Sequence, residues 1–103
     1  MIHVIATIEL VPGRRDEFLA EFRKNVPLVT AEVGCAEYGP AVDLPTDLAA
    51  QIPLRPDVVT VVEKWDSLAA LKAHITAPQM LDFRARVKGM VVRTTLQILG
   101  PAS

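Results

Sequence analysis

The chain has 103 residues, half of them hydrophobic and 22% charged, enough for one domain around one core but not for two. Its 11 basic and 12 acidic residues give a formal net charge of −1 with no long basic run, which excludes an electrostatic footprint for nucleic acid. No apolar run approaches the roughly 18 residues of a bilayer span, so no membrane partner is expected. Cys35 is the single cysteine; it allows no intrachain disulfide and no cysteine-based zinc cluster, which suits a reducing compartment. The opening MIHVIATIELVPG has no basic segment ahead of its apolar run and carries Glu9, so it reads as strand and turn and not as a signal peptide. The expectation is a cytoplasmic protein.

Residues 2–11 alternate, with Ile2, Val4, Ala6, Ile8 and Leu10 on one side, and predict a strand that Pro12-Gly13 ends. From Arg14 to about Val33, Phe18, Phe22, Val26, Val29 and Val33 recur at helical spacing, which predicts an amphipathic helix covering a sheet. Pro27 removes one helix hydrogen bond and should kink or break that helix, and Gly34 is placed as its C-terminal cap. Residues 35–42 form a shorter strand holding Tyr38. Residues 43–57 contain Pro45, Pro53 and Pro56 and cannot be a strand or a long helix; long irregular connections of this kind often cover a pocket.

Val58 to Trp65 is nearly continuous in apolar residues and predicts a central strand buried on both faces. Asp66 or Ser67 can cap the following helix, whose inward stripe is read as Leu68, Leu71 and Ile75 with His74 at its edge. Pro78 suits the first turn of another short helix, which buries Met80, Phe83 and Val87 and leaves Arg84, Arg86 and Lys88 in solvent. Gly89 ends it, and residues 91–99 form a last strand. The order β-α-β-β-α-β, with the second helix split, is the ferredoxin-like α+β arrangement: one domain over residues 1–103 with an antiparallel four-stranded sheet and helices on one face. The chain's apolar share predicts that the open face is buried against a second copy, as a twofold homodimer.

The sequence has no phosphate-binding glycine loop, no dinucleotide fingerprint and no HExxH helix, and it gives no sign of a cofactor. His3 and His74 fall in separate elements without a partnering cysteine, so no metal site is expected. Trp65 is read either as a core residue or as a flat wall for an aromatic substrate. His74 is read as solvated, as structurally hydrogen-bonded, or as a pocket base that titrates near neutral pH. Tyr38 and Glu63 are candidate polar contacts, Glu63 because it shares a strand face with Trp65 in a mostly apolar strand.

Together, Glu63-Lys64-Trp65-Asp66-Ser67, Leu71, Ala73-His74 and Ala77-Pro78-Gln79-Met80 resemble the antibiotic biosynthesis monooxygenase family of small ferredoxin-like dimers. So does Glu32-Val33-Gly34-Cys35-Ala36-Glu37-Tyr38, where members commonly read E-x-G-C-x-x-Y. Within the family the chain is most similar to bacterial quinol monooxygenases. The resemblance implies O2-dependent oxidation of a small electron-rich aromatic, such as a hydroquinone, without flavin, haem or metal. His74 is then the catalytic base, Trp65 the ring-holding wall, and Tyr38 and Glu63 the substrate contacts. Many relatives have histidine where this chain has Gln79 and some have tyrosine at Phe83; Ala6-Thr7 replaces the asparagine of haem-degrading relatives. The alternatives are an isomerase or oxygenase of another small metabolite or polyketide, and a non-catalytic quinone-binding dimer.

Overall fold

The structure, a computed structural model, describes residues 1–102. In chain order it contains β1 (Ile2–Leu10), α1 (Arg15–Thr30), β2 (Cys35–Ala41), β3 (Val58–Trp65), α2 (Leu68–Ile75), α3 (Pro78–Val87) and β4 (Val91–Leu99). The four strands form one antiparallel sheet in the order β2-β3-β1-β4, which is the ferredoxin-like topology expected. Alternation decides which face is covered. Val4, Ala6, Ile8 and Leu10 of β1 are buried, as are Val59, Val61, Glu63 and Trp65 of β3. Their neighbours on the other face are only partly covered or exposed, so β3 is buried on one side in the single chain, not on both. A one-residue slip in either strand would turn its apolar set to water, and this fixes the register.

The helices close over the covered face. Phe18 and Phe22 of α1 meet Phe83 of α3 edge-on, with ring centroids 5.8 and 5.7 Å apart, and Phe22 stacks on Tyr38 of β2 at 5.3 Å. Each such buried aromatic contributes roughly 1.5–3 kcal/mol by area alone. Ser67 is the cap of α2, its hydroxyl accepting from the Ala70 N–H at 3.1 Å, and Pro78 occupies the start of α3. Among the described residues no helix is long and apolar enough to cross a membrane.

Several local expectations are revised. Pro27 does not end α1, which runs on to Thr30. The helix stops there, so Val33 lies outside it and is 94% exposed. On α2 the inward residues are Leu71 and His74, while Leu68 and Ile75 are more exposed, because the short helix is rotated so that its imidazole faces the sheet. Residues 42–57 contribute nothing to the main cavity. They are held instead by Arg55, whose guanidinium grips Asp43 at 2.8 and 2.9 Å and holds that carboxyl down at about 2.

Gly34 does not cap α1; it lies in the turn entering β2 with φ +85°, in the left-handed region. Its carbonyl accepts from Asp66 N–H at 2.8 Å, and a Cβ there would lie 2.6 Å from the Ala70 Cβ. Backbone and packing thus both require glycine where β2 meets the start of α2. Gly34→Ala is expected to cost about 2–3 kcal/mol and to lower the thermal midpoint by more than about 8 °C. A thermal scan with an unchanged midpoint would contradict this reading of the turn.

Candidate active site

Between the sheet and the helices lies a cavity of about 470 Å³, within the range of small-molecule sites. Most of its wall is apolar: Val4, Ala6 and Val61 rise from the sheet, and Phe18, Phe22, Leu71 and Phe83 come down from the helices. The polar side chains of Tyr38, Glu63, His74 and Thr94 also line it, and Arg84 and Lys88 stand on its rim.

Strand register assembles the polar group. Tyr38 of β2 and Val4 of β1 lie on either side of Glu63. Two residues further along the same face of β3 is Trp65, whose indole Nε1–H donates to Glu63 Oε1 at 2.9 Å. The chain then turns through Asp66-Ser67 into α2 and brings His74 back over Trp65, with ring centroids 4.7 Å apart. The Tyr38 ring meets the same imidazole edge-on at 5.4 Å. His74 is only 4% exposed, not solvated at a helix edge.

A buried imidazole needs an acceptor for its N–H. Glu32, just past the Ala31 cap of α1, accepts from His74 Nδ1 at 3.1 and 3.2 Å and from Gln79 Nε2 at 2.9 Å. A carboxylate only accepts hydrogen bonds, so Nδ1 carries the hydrogen and Nε2 is the basic nitrogen. Nε2 has no hydrogen-bond partner among the described residues, and His74 lines the cavity. The arrangement is a carboxylate–imidazole pair on the wall of an apolar chamber.

Burial sets the protonation of the neighbours. It pushes the Glu63 carboxyl up, an effect that the Trp65 indole and His74 oppose and Glu32 reinforces. The Tyr38 phenol is raised well above its ordinary value, first by burial and then by Glu63 and Glu32, so it stays a neutral donor. The Cys35 thiol is also raised, by burial and by the same two carboxylates.

Of the four residues singled out from sequence, Tyr38, Glu63 and His74 meet at one end of the cavity. Trp65 is fully buried and stands one layer behind, against Glu63 and His74, not on the wall where it was expected to stack a substrate. Sequence reasoning gave Glu32 no role. Its position held a clue: an acidic residue just beyond a helix C-terminus faces the negative end of the dipole and needs a compensating partner. Among the described residues no group of three or more His, Cys, Asp and Glu side chains could hold a metal ion.

These features define a ferredoxin-like domain with an apolar cavity lined by Tyr38, Glu63 and His74. Comparison with known proteins agrees on the fold. The sequence profile of the antibiotic biosynthesis monooxygenase family matches residues 1–86, and the chain belongs to that family. It is 39% identical over 103 residues to the Escherichia coli K12 protein named "Probable quinol monooxygenase YgiN", covering 98% of each chain. The crystal structure of PA3566 from Pseudomonas aeruginosa superposes with a TM-score of 0.80 at 24% identity, over 99% of this chain and 94% of that one. A crystal structure described as an antibiotic biosynthesis monooxygenase gives 0.80 at 21% identity over 100% of both chains. At these identities the structural matches speak for the fold.

Because burial raises the Glu63 carboxyl, the folded chain binds its proton more tightly than the unfolded chain does. This contribution to stability is therefore complete below the unfolded value, near 4.5, and is lost as pH rises through the folded value. Relative to Glu63→Gln, the wild type should lose unfolding free energy on going upward from about pH 4.5. Denaturant titrations of both proteins across that range check this, and a constant difference would contradict it.

Proposed function

We propose that the protein is a cofactor-independent monooxygenase or oxidase of a small hydroquinone-like aromatic, with O2 as co-substrate and His74 as catalytic base. The observation that carries this is the Glu32–His74 pair on the wall of an apolar cavity of small-molecule size, with Nδ1 held by Glu32 and Nε2 without a partner among the described residues. Family membership and the 39% identical relative support the same chemistry.

Triplet O2 reacts poorly with closed-shell molecules, and a cofactor usually handles it. A hydroquinone supplies its own electrons once deprotonated. In the proposed cycle His74 Nε2 takes a phenolic proton while Glu32 holds Nδ1–H and stabilises the resulting imidazolium. The quinolate passes one electron to O2, giving a semiquinone and superoxide held together by the cavity walls. Recombination, followed by loss of water, converts quinol and O2 into hydroxyquinone and water; transfer of the second electron and the protons instead gives quinone and hydrogen peroxide. Both outcomes balance without an added reductant. Tyr38, a neutral phenol, donates to a substrate oxygen, and Glu63, whose carboxyl burial pushes up, is the second polar contact. Trp65 fixes Glu63 and backs His74, and so shapes the wall without forming it.

The proposed assembly is a homodimer through the open face of the sheet. There the Ile5–Val62 pair and the partly covered Val58 give an apolar centre between His3–Lys64 and Glu9–Arg93.

Metal-stripped protein given chemically reduced menadione should consume O2 well above the spontaneous rate and be insensitive to chelators. His74→Ala should lower turnover about 10²–10⁴-fold, and Glu32→Gln, which keeps the shape but weakens the base, about tenfold or more. Uptake no faster than the protein-free control, or unchanged turnover in His74→Ala, would overturn the proposal.

A further inference from the structure

Polarity along the cavity is uneven. At one end of β1, Val4 pairs with Glu63; toward the other, Ile8 pairs with Thr94 and Leu10 with Val91. Val4 and Ile8 are four residues apart, roughly 13 Å of strand. His74, Tyr38 and Glu63 occupy the first end. Lys88, three residues before β4, stands toward the second, and Arg84 is one helical turn back on the same side of α3. Both are exposed, and both line the cavity.

The two cations differ from Arg86 on the same helix, which turns outward to pair with Glu21 and Asp82. Among the described residues neither Arg84 nor Lys88 has a carboxylate partner. Arg84 instead donates to the Ile75 carbonyl oxygen at the end of α2, which anchors its guanidinium at the rim with its other donors open. Among the described residues Glu63 is the only carboxylate that lines the cavity, and it lies at the Val4 end, away from Lys88, with Arg84 between them. Two uncompensated cations at the mouth of an apolar chamber form an anion site whose remaining contacts are hydrophobic.

We infer that Arg84 and Lys88 form an anion subsite that selects aromatic substrates bearing an acidic substituent, of which a carboxylate is the simplest. The acidic group is held at the rim while the hydroxyl-bearing ring reaches His74. Only this orientation rests on the oxidation chemistry proposed above; the anion selectivity stands on the cavity itself.

Binding without turnover tests it. Menadione and 1,4-naphthoquinone-2-sulfonate differ at one ring substituent, a methyl in the first and a sulfonate in the second, and both should quench Trp65, the only tryptophan of the chain. At low salt the sulfonate should bind about tenfold tighter; Arg84→Gln and Lys88→Gln should each weaken it about fivefold and menadione by under about twofold. Arg86→Gln should alter neither, and added salt should weaken the sulfonate alone. Equal affinities for the two quinones in the wild type, or equal weakening of both in the variants, would overturn the inference. Failure of quinol-driven O2 uptake with the sulfonate preference retained would remove the oxidation chemistry and leave the subsite standing. Uptake with menadiol but no sulfonate preference would do the reverse.

Discussion

Burying an imidazole in an apolar core costs several kilocalories unless its N–H finds a partner, and in this protein one carboxylate meets that demand. Glu32 is itself poorly placed for an anion, just past the C-terminus of α1, and the hydrogens of His74 and Gln79 compensate it. Each group makes the other tolerable. Glu32 is also 42 and 47 positions from its two partners, so the contact ties the end of α1 to both α2 and α3 at one corner of the cavity. The tilt of the His74 ring against Trp65, the tautomer it adopts and the side on which its basic nitrogen emerges all follow from that contact.

The rest of the site is a gradient built on the pleat of the sheet. The face that buries Val4, Ala6 and Val61 also carries Glu63 and Trp65, because residues two apart on a strand share a side. Four aromatic rings and the aliphatic sheet residues keep the chamber's dielectric low, which raises the Glu63 and Tyr38 protonation thresholds. A chamber with a neutral phenol and an oriented imidazole suits the proposed removal of a phenolic proton. It needs little else where the substrate itself carries the electrons.

The fold was legible because it rests on local signals that tertiary structure does not override. Alternation in β1 and β3, the Ser67 cap and Pro78 at the start of α3 each appear in the sequence at the positions the structure uses. The failures share a cause. Where α1 ends depends on the turn that Gly34 makes against Ala70, a contact between distant segments, so Val33 was read as helical when it lies in solvent. On α2, eight residues leave the apolar stripe ambiguous by one position, and only the Glu32 contact selects the rotation that buries His74. Trp65 was read from strand alternation onto the correct face, but alternation carries no depth, and depth places it behind the cavity wall. Arg84 and Lys88 are exposed as read, but helical spacing cannot show that a chamber opens beside them.

The account turns on the claim that Glu32 fixes His74 with Nδ1 protonated and Nε2 free. Nitrogen-15 NMR of the imidazole side chains measures this directly, and His3→Gln assigns the signals because the chain has only two histidines. The account predicts that neutral His74 shows a protonated Nδ1 and a bare Nε2, and that Glu32→Gln relaxes this toward a tautomer mixture. A His74 protonated at Nε2 in the wild type, or a tautomer indifferent to Glu32→Gln, would contradict it.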